Sequence, residues 1–385
     1  MQVRVFDGGE REIKEEMERI GVDPSGAKIM LLKSSFYLLK VIQIGNWAAN
    51  ILKQEMLSLG AEAAISRRAY LSAKEKSDLL LIGRLADYKR LIKKLKEQPP
   101  TLKRVAEKIE RTLKFFLKRP PSLKIMGILN VTPDSFYDGG RYFDREKAIE
   151  KGVSLVKDGA DILDIGGESS RPGASPISVK EEKERVIPLI KGLAKLIKVP
   201  ISIDTYKADV ADRAIDAGAK MVNDISALRM DKDMVRVISS AKVPIVLMHM
   251  KGNPRIMQKK PFYKDTISEI YNFLEKRISF AEKRGVLPEK IIIDPGIGFG
   301  KRLEDNLIIL KRLTEFKSLG KLILVGPSRK RFIGNILNLP VEERLEGTIS
   351  AAIISANNGA NILRVHDVKE VKRALKVWQA INGRE

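Results

Sequence analysis

The chain has 385 residues, of which 44% are hydrophobic and 31% are charged, a balance that fits a folded globular protein and excludes a wholly disordered one. It contains no cysteine and two histidines, His249 and His366. Disulfides, thiolate metal centres and cysteine nucleophiles are therefore excluded, and a histidine-rich metal site or a serine-histidine-aspartate triad is disfavoured.

The amino-terminal residues carry charges where a secretory signal needs an apolar core. The most hydrophobic stretch, Ile29–Leu52, is interrupted by Lys33 and Lys40, which makes it a poor membrane span. Together with the absence of cysteine, this pattern predicts a cytoplasmic protein without a membrane partner.

Residues 1–98 show the helix and strand signals of a small α+β domain. A short helix is expected to end near Gly21. The remaining expected elements are one or two strands in Lys28–Ile44, a helix over Trp47–Leu59 that stops at Gly60, strands at Ala61–Ser66 and Leu79–Ile82, and a helix over Tyr88–Glu97.

Residues 99–123 are predicted to form a basic helical linker between two proline pairs. The stretch Lys89–Lys124 holds 13 basic and 3 acidic residues, which accounts for much of the chain's net charge of +22. A nucleic-acid or membrane-surface patch is one interpretation. Leucines at helical spacing favour the other, a solvated helical face, so nucleic acid is not an expected partner.

From residue 124 onward, short apolar runs recur about every thirty residues, each followed by a polar loop and an amphipathic helix. Near-continuous apolar strands indicate burial on both faces, as in parallel strands covered by helices. Eight such units predict a (β/α)8 TIM barrel over residues 124–385. The runs are IMGILN, ILDIGG, PISIDT, MVNDIS, PIVLMHM, KIIIDPG, LILVGPS and NILRVHD.

In such a barrel the active site lies at the carboxyl ends of the strands, and the polar residues of this sequence concentrate there. Asp204, Asn223 and Asp294 offer acceptors and an amide that suit the donor-rich edge of a flat aminopyrimidinone ring. Lys330 supplies a cationic donor for the same ring. The sequence thus predicts a heterocycle-binding pocket.

A second group of strand-end residues suits an anion. These side chains offer donors to a phosphate or pyrophosphate. They are Asn130, Ser170, Arg171, Arg364 and His366.

Several of these residues also have ordinary structural interpretations. Asp204 alone is equally typical of a helix N-cap. The glycines of GIGFG lack the acidic residue of a dinucleotide fingerprint and are expected to shape a turn. His249 is expected to be a core histidine, and Arg329 is a candidate for a structural ion pair.

The segments MGILNVTPDSFYDGG, DILDIGGESSRPGA, ISIDTYKADVA, VNDIS, LMHMKG, IIIDPGIGFGK, GPSRKRFIG and LRVHDV resemble the motifs of the dihydropteroate synthase family and cover residues 124–382 in order. The resemblance implies a pterin-binding TIM barrel that joins 6-hydroxymethyl-7,8-dihydropterin pyrophosphate to para-aminobenzoate and releases pyrophosphate. It also implies a Mg²⁺-dependent homodimer that is a sulfonamide target. An acceptor carrying ribofuranosyl phosphate is the open alternative to para-aminobenzoate.

The resemblance also assigns roles by position. It implies catalytic functions for Asp204, Lys330, Arg364, His366 and Arg171. It places the pterin at Asp204, Asn223, Asp294 and Lys330, and the pyrophosphate at Asn130, Arg364 and His366, with Asn130 also at the metal. It places the arylamine at Phe136, Ser170, Arg171, Pro172, Phe299 and Lys330.

Other functions remain to be separated from this one. A methyltetrahydrofolate-binding, methyltransferase-like pterin barrel would share the strand-end aspartates but would not need the NVTPDSF, SRK and RVH segments. A Schiff-base aldolase would use Lys330 as its nucleophile. A regulatory or nucleic-acid-binding protein would use the basic amino-terminal region, although AANILKQEMLSLGAEAA resembles the accessory extension of some dihydropteroate synthases.

Overall fold

The computed structural model describes the chain up to residue 382, apart from residues 2, 7, 71–74, 119–120, 132–136, 139–141, 170–174, 253–256 and 258–260. Its contacts divide the chain into two compact units, Met1–Leu117 and Lys118–Glu385. In the part of the chain that the structure describes, no helix is both long and apolar enough to cross a membrane.

The amino-terminal unit is an α+β fold with a three-stranded antiparallel sheet, which confirms the predicted class. The sheet order is β1-β3-β2, so β1 lies at an edge. The strands are Phe36–Gly45 (β1), Glu62–Ile65 (β2) and Lys76–Arg84 (β3), and the helices are Glu10–Ile20 (α1), Pro24–Ser34 (α2), Asn46–Ser58 (α3), Leu85–Lys96 (α4) and Pro100–Leu117 (α5).

The prediction of one or two strands in Lys28–Ile44 was right for its second half, where β1 forms, and wrong for its first half, where α2 forms instead. The carboxylate of Asp23 caps this helix by accepting hydrogen bonds from the backbone N–H groups of Ser25 and Gly26, and Pro24 occupies the first turn. These local signals outweigh the β-favouring apolar residues that follow. The expected helix end at Gly21 is present, with this glycine in the left-handed region at φ 84°.

Residues 100–117, which the sequence assigns to a linker, form a helix that contributes to the amino-terminal core. The apolar face of α5 buries Leu102, Ala106, Ile109 and Leu113 in the same cluster as Leu91 of α4. Basic residues occupy its exposed face. The boundary between the two units accordingly falls after Leu117.

The second unit is a closed barrel of eight parallel strands surrounded by helices, as the sequence predicts. Closure comes from the last strand pairing with the first, at Leu363 opposite Ile125. The barrel strands are Lys124–Asn130 (β4), Ile162–Gly166 (β7), Ile201–Asp204 (β8), Met221–Asp224 (β9), Ile245–Met248 (β10), Ile291–Asp294 (β11), Leu322–Val325 (β12) and Ile362–Val365 (β13); Tyr137–Asp138 (β5) and Tyr142–Phe143 (β6) form a two-stranded ribbon.

Helices follow the barrel strands and cover the outside of the sheet. They are Arg145–Lys157 (α6), Val179–Leu196 (α7), Ala208–Asp216 (α8), Met234–Ala241 (α9), Thr266–Glu282 (α10), Leu303–Lys311 (α11), Arg331–Leu337 (α12), Leu345–Asn357 (α13) and Val368–Ile381 (α14).

The strands are apolar on both faces, which explains their continuous hydrophobic runs. One large cluster lies between strands and helices and includes Leu163, Ile203 and Ile293. A separate cluster, here called the lower layer, comes from alternate strand residues. It consists of Met126, Ile162, Met221, Val246, Ile292, Leu324 and Ile362.

Candidate active site

A pocket lies at the carboxyl ends of the barrel strands, where the sequence predicts the active site. Six residues that the sequence singled out share its wall: Asp204, Asn223, Asp294, Phe299, Lys330 and Arg364. The remaining lining residues are Ile225, Met248, Ile297 and Gly326. The pocket therefore combines carboxylates and cations with an apolar wall.

Arg364 links two carboxylates at this mouth. Its Nε donates to Asp164 Oδ2 at 2.6 Å, and its Nη2 donates to Asp204 Oδ2 at 2.6 Å. Asn223 Nδ2 also donates to Asp164 Oδ2, at 3.2 Å. Residues from four strands thus form one hydrogen-bonded network.

Asp164 is the site residue that sequence reasoning missed. It is fully buried in β7, within the apolar run ILDIGG. A charged residue inside a buried strand needs a partner, and that rule was the available signal. Its partner is Arg364, 200 residues further along the chain, so no local pattern indicates the pairing.

Burial shifts the ionisation of the pocket carboxyls. Burial raises the pKa of Asp204 to about 7, with Asp164 adding to the rise and Arg364 opposing it. Burial also raises the pKa of Asp294 to about 6, against the N–H of Gly296, which donates to its Oδ1 at 2.6 Å. Both carboxyls are consequently poised to favour a donor-rich or cationic ligand, which would stabilise their ionised forms.

Lys330 and Phe299 form the wall beside Asp294. Lys330 Nζ lies 4.4 Å from the centroid of the Phe299 ring, within the range of a cation–π contact. Burial lowers the pKa of Lys330 to about 8, with Arg364 adding to the fall and Asp294 opposing it. The ammonium is therefore a half-buried cationic donor without a hydrogen-bonded carboxylate in the described part of the chain.

The glycines before Lys301 shape a turn, as the sequence predicts. Gly296, Gly298 and Gly300 all have positive φ, between 64° and 83°. A side chain at Gly296 would place its Cβ 2.0 Å from the carbonyl oxygen of His249. This turn brings Phe299 to the pocket wall and admits no larger residue at Gly296.

His366 directly follows β13, two residues after Arg364, and is exposed. Ser328 Oγ accepts from the His366 backbone N–H at 3.2 Å and lies 2.9 Å from His366 Nδ1, so its own hydroxyl is free to donate to that nitrogen. A Ser328 hydroxyl that donates to Nδ1 places the ring proton on Nε2. Desolvation of the ring and the nearby cations Arg364 and Lys330 lower the pKa of His366 to about 4, so the ring is neutral at pH 7.

His249 and Arg329, for which the sequence predicts structural roles, contact other protein groups away from the pocket. His249 is buried, its Nδ1 lies 3.0 Å from Lys301 Nζ, and its ring packs edge-on against Phe273. Arg329 pairs with both carboxylate oxygens of Asp367, at 2.9 and 2.7 Å. Neither lines the pocket.

Residues 126–366 match the family model described as "Pterin binding enzyme". The dihydropteroate synthase of Synechocystis is 48% identical over 258 residues, which are 67% of this chain and 89% of that relative. The chain belongs to the dihydropteroate synthase family.

The structural comparison supports the same family. A dihydropteroate synthase of Xanthomonas albilineans, solved with 4-aminobenzoic acid, superposes with a TM-score of 0.65 at 44% identity. The superposition covers 69% of this chain and 94% of the Xanthomonas chain. A probable bifunctional folylpolyglutamate synthase/dihydropteroate synthase of Halobacterium salinarum is 38% identical over 381 residues, which are 96% of this chain and 46% of that relative. The similarity to the Halobacterium protein thus extends over the amino-terminal unit.

The remaining family positions are only partly described. Asn130 is the last residue of β4. A Cβ atom added at Gly166 would lie 3.7 Å from Asn130 Oδ1 and 3.5 Å from Asp204 Cβ. Asn130 therefore faces the same mouth of the barrel as Asp204. The arylamine positions Phe136, Ser170, Arg171 and Pro172 lie outside the described residues.

The described residues include no cluster of three or more histidine or acidic side chains arranged to hold a metal ion. The amide oxygen of Asn130 is nevertheless a hard donor of the type that Mg²⁺ prefers. Mg²⁺ usually keeps several waters and binds through few protein ligands together with substrate phosphates. The donor set accordingly fits an ion that is bound jointly with a phosphorylated substrate.

Proposed function

We propose that this protein condenses 6-hydroxymethyl-7,8-dihydropterin pyrophosphate with para-aminobenzoate, or with its ribofuranosyl-phosphate derivative, and releases pyrophosphate. The observation that carries the proposal is the convergence of Asp204, Asn223, Asp294 and Lys330 on one pocket wall. Membership of the dihydropteroate synthase family supports the same reaction.

The pterin would occupy the deep part of the pocket. Asp204 and Asp294 would accept hydrogen bonds from the amidine-like edge of the ring, and Lys330 would donate to a ring oxygen or nitrogen. Burial raises the pKa of both aspartates, and a ring edge that donates to these carboxylates would favour their ionised forms.

The pyrophosphate would lie toward Arg364 and His366. Arg364 donates to Asp164 and Asp204 and would present its remaining N–H groups to the anion, while the neutral His366 ring would donate from Nε2. Asn130 would hold a bound Mg²⁺, which would supply positive charge that neutralises the departing pyrophosphate.

The chemistry proposed is a cleavage that runs ahead of attack. The C–O bond from the pterin methylene to pyrophosphate breaks, and the positive charge that develops on the ring is stabilised by Asp204 and Asp294. The neutral arylamine nitrogen then forms the new C–N bond and loses one proton to water or to the released pyrophosphate. No strongly basic side chain is required, which fits a pocket whose described lining contains no histidine.

The acceptor would bind above the pterin, against Phe299 and Lys330 and the loop segments that carry Phe136, Ser170, Arg171 and Pro172. These segments would exclude water, which otherwise competes for the cation. A sulfonamide is expected to compete with para-aminobenzoate for this part of the site.

The decisive experiment measures pyrophosphate release from the dihydropterin pyrophosphate in the presence of Mg²⁺, with para-aminobenzoate, with its ribofuranosyl-phosphate derivative and with neither. Release that depends on an arylamine supports the synthase, and the preferred acceptor identifies the substrate. Tight pterin binding without release in any arm would instead favour the methyltransferase-like pterin barrel.

We also propose that the enzyme is a cytoplasmic homodimer. Exposed apolar side chains on α12 and α13, among them Ile336, Leu337 and Ile354, support a pairing face between two copies. Sedimentation equilibrium tests this assembly: a single species at the monomer mass at micromolar concentration would contradict it.

A further inference from the structure

A buried ionic cluster lies outside the pocket, between the first residues after β7 and the start of α8. Lys207 Nζ donates to Glu168 Oε2 and to Glu182 Oε2, both at 2.6 Å. Glu182 is 1% exposed and Lys207 is 9% exposed, so this ammonium and at least one of its carboxylates are removed from water. No step of the proposed reaction uses them.

The cluster joins the two ends of one loop. Glu168 is the second residue after β7, and Ile177 lies two residues before α7. Lys207 Nζ donates to the carbonyl oxygen of Ile177 at 2.8 Å, and the Ile177 N–H donates to Glu168 Oε2 at 3.1 Å. One ammonium group therefore holds both the entry and the exit of the segment that contains Ser170, Arg171 and Pro172.

The same cluster reaches the pocket wall through Tyr206. The Tyr206 hydroxyl donates to Glu168 Oε1 at 2.9 Å, and its ring packs against the apolar cluster that includes Met248 and Phe299. Lys207 and Tyr206 also follow Asp204 within three residues along the chain. The base of the loop is consequently connected to the strand that carries the predicted pterin carboxylate.

A second ionic contact lies close to this cluster. A partly exposed ion pair, Lys183 to Asp209 at 2.7 Å, already connects α7 with α8. Burying an ammonium with two carboxylates brings a desolvation cost that apolar side chains of similar size would avoid, so such a cluster is weak evidence for a purely stabilising role. Although burial disfavours the charged ammonium, the hydrogen bonds to Glu168 and Glu182 raise the pKa of Lys207 and keep it protonated.

We propose that Lys207 is a positioning residue that fixes the base of the loop between Glu168 and Ile177, and thereby sets the geometry of the acceptor half of the site. This inference rests on the proposed function, in which residues of that loop contact the arylamine. Lys207 acts through Glu168 and Ile177 and does not touch the substrate.

The test compares Lys207→Met and Glu168→Gln with a matched control, Lys183→Met, which breaks the neighbouring α7–α8 ion pair without touching the loop. Three quantities are measured in the full-length protein: the Kd for dihydropterin pyrophosphate, the KM for para-aminobenzoate, and pyrophosphate release without arylamine. Both cluster variants are expected to raise the acceptor KM about tenfold with the pterin Kd within about twofold of wild type, because small misplacements of a positioning loop weaken only the contacts that it makes.

Two further results belong to the same expectation. Release without arylamine is expected to become a larger share of the total in both cluster variants, since water would reach the pterin cation more often. Lys207→Arg, which retains the charge, is expected to recover part of the acceptor affinity, and Lys183→Met is expected to behave like wild type.

Glu168→Gln keeps the inference testable if Lys207→Met does not fold, because it removes one charge while Glu182 still pairs with Lys207. An unchanged acceptor KM in Glu168→Gln, or equal losses in pterin and acceptor binding in every cluster variant, would overturn the positioning role. Absence of arylamine-dependent release by the wild-type protein would overturn the proposed function itself, so the two failures are distinguishable.

Discussion

The interior of the barrel changes character within two residues along its strands. Each lower-layer residue is apolar, whereas the residue two positions further, on the same face of the strand, is polar or charged in several strands. The clearest such pairs are Ile162 and Asp164, Met221 and Asn223, Ile292 and Asp294, and Ile362 and Arg364. These four polar residues, together with Asp204 at the end of β8, are here called the upper layer.

The difference between the layers concerns what each contributes. The lower layer removes apolar surface from water and stabilises the closed barrel. The upper layer places Asp164, Asp204 and Arg364 in a buried setting at an electrostatic cost, which is visible in the raised pKa of Asp204. Substitutions in the lower layer should consequently change mainly stability, and substitutions in the upper layer should change mainly ligand binding.

The largest difference between the effect on pterin binding and the effect on stability is expected for Asp204→Ala. This variant removes a carboxylate that would accept from the pterin and is expected to weaken pterin binding about 100-fold, the scale of a lost charged hydrogen bond with its partner left unpaired. Isothermal titration calorimetry measures the loss, and urea unfolding provides the comparison. A fall in unfolding free energy with nearly intact pterin affinity would show that Asp204 belongs functionally with the lower layer.

Arg171→Ala tests whether the loop residues act separately from the upper layer. The variant is expected to lower kcat/KM for the arylamine about tenfold while pterin affinity stays within about twofold, because the lost contact is made to the acceptor alone. Steady-state kinetics and pterin titration give the two values. Equal loss of pterin binding in Arg171→Ala and Asp204→Ala would refute this division of roles.

The pH dependence should have opposite signs for binding and stability. The folded pKa of Asp204 is about 7, whereas an unfolded aspartate has a pKa of about 3.9. The stability that this group contributes is therefore complete below about pH 4 and is lost as pH rises through about 7, while pterin affinity is expected to rise a few-fold over the upper part of that range.

Asp204→Asn is the control for this pH effect. Its unfolding free energy, compared with wild type in urea titrations between pH 5 and pH 8, is expected to improve relative to wild type as pH rises. A difference that does not change with pH would show that Asp204 is not the titrating group.

The smallest effect is expected in the lower layer. Ile292→Val removes one buried methylene and is expected to reduce the free energy of unfolding by about 1 kcal/mol. Pterin Kd should stay within about twofold, because the pocket lies two residues further along β11. A larger change in the free energy of pterin binding than in the free energy of unfolding would contradict the distinction between the layers.

The barrel could be predicted from the sequence because a local apolar run marks each strand. Asp204, Asn223 and Asp294 could be predicted as site residues because each lies at the end of a strand. It was insufficient where the deciding contact is distant. The Asp164–Arg364 pair depends on which strands become neighbours when the sheet closes, and the contribution of α5 to the amino-terminal core depends on its packing against α4. The α2 helix is hard to predict although its Asp23 cap is local, because the apolar residues that follow the cap also favour a strand.

The order in which a ribosome would deliver these strands gives the Asp164–Arg364 pair a further consequence. Both carboxylates that Arg364 contacts are synthesised long before it, by 200 residues for Asp164 and 160 for Asp204. Until the last strand has emerged, a nascent barrel lacks both its closing strand and the counter-charge for these two groups. Charge neutralisation at the mouth is thus coupled to completion of the final strand, so a partly synthesised barrel cannot assemble the finished site.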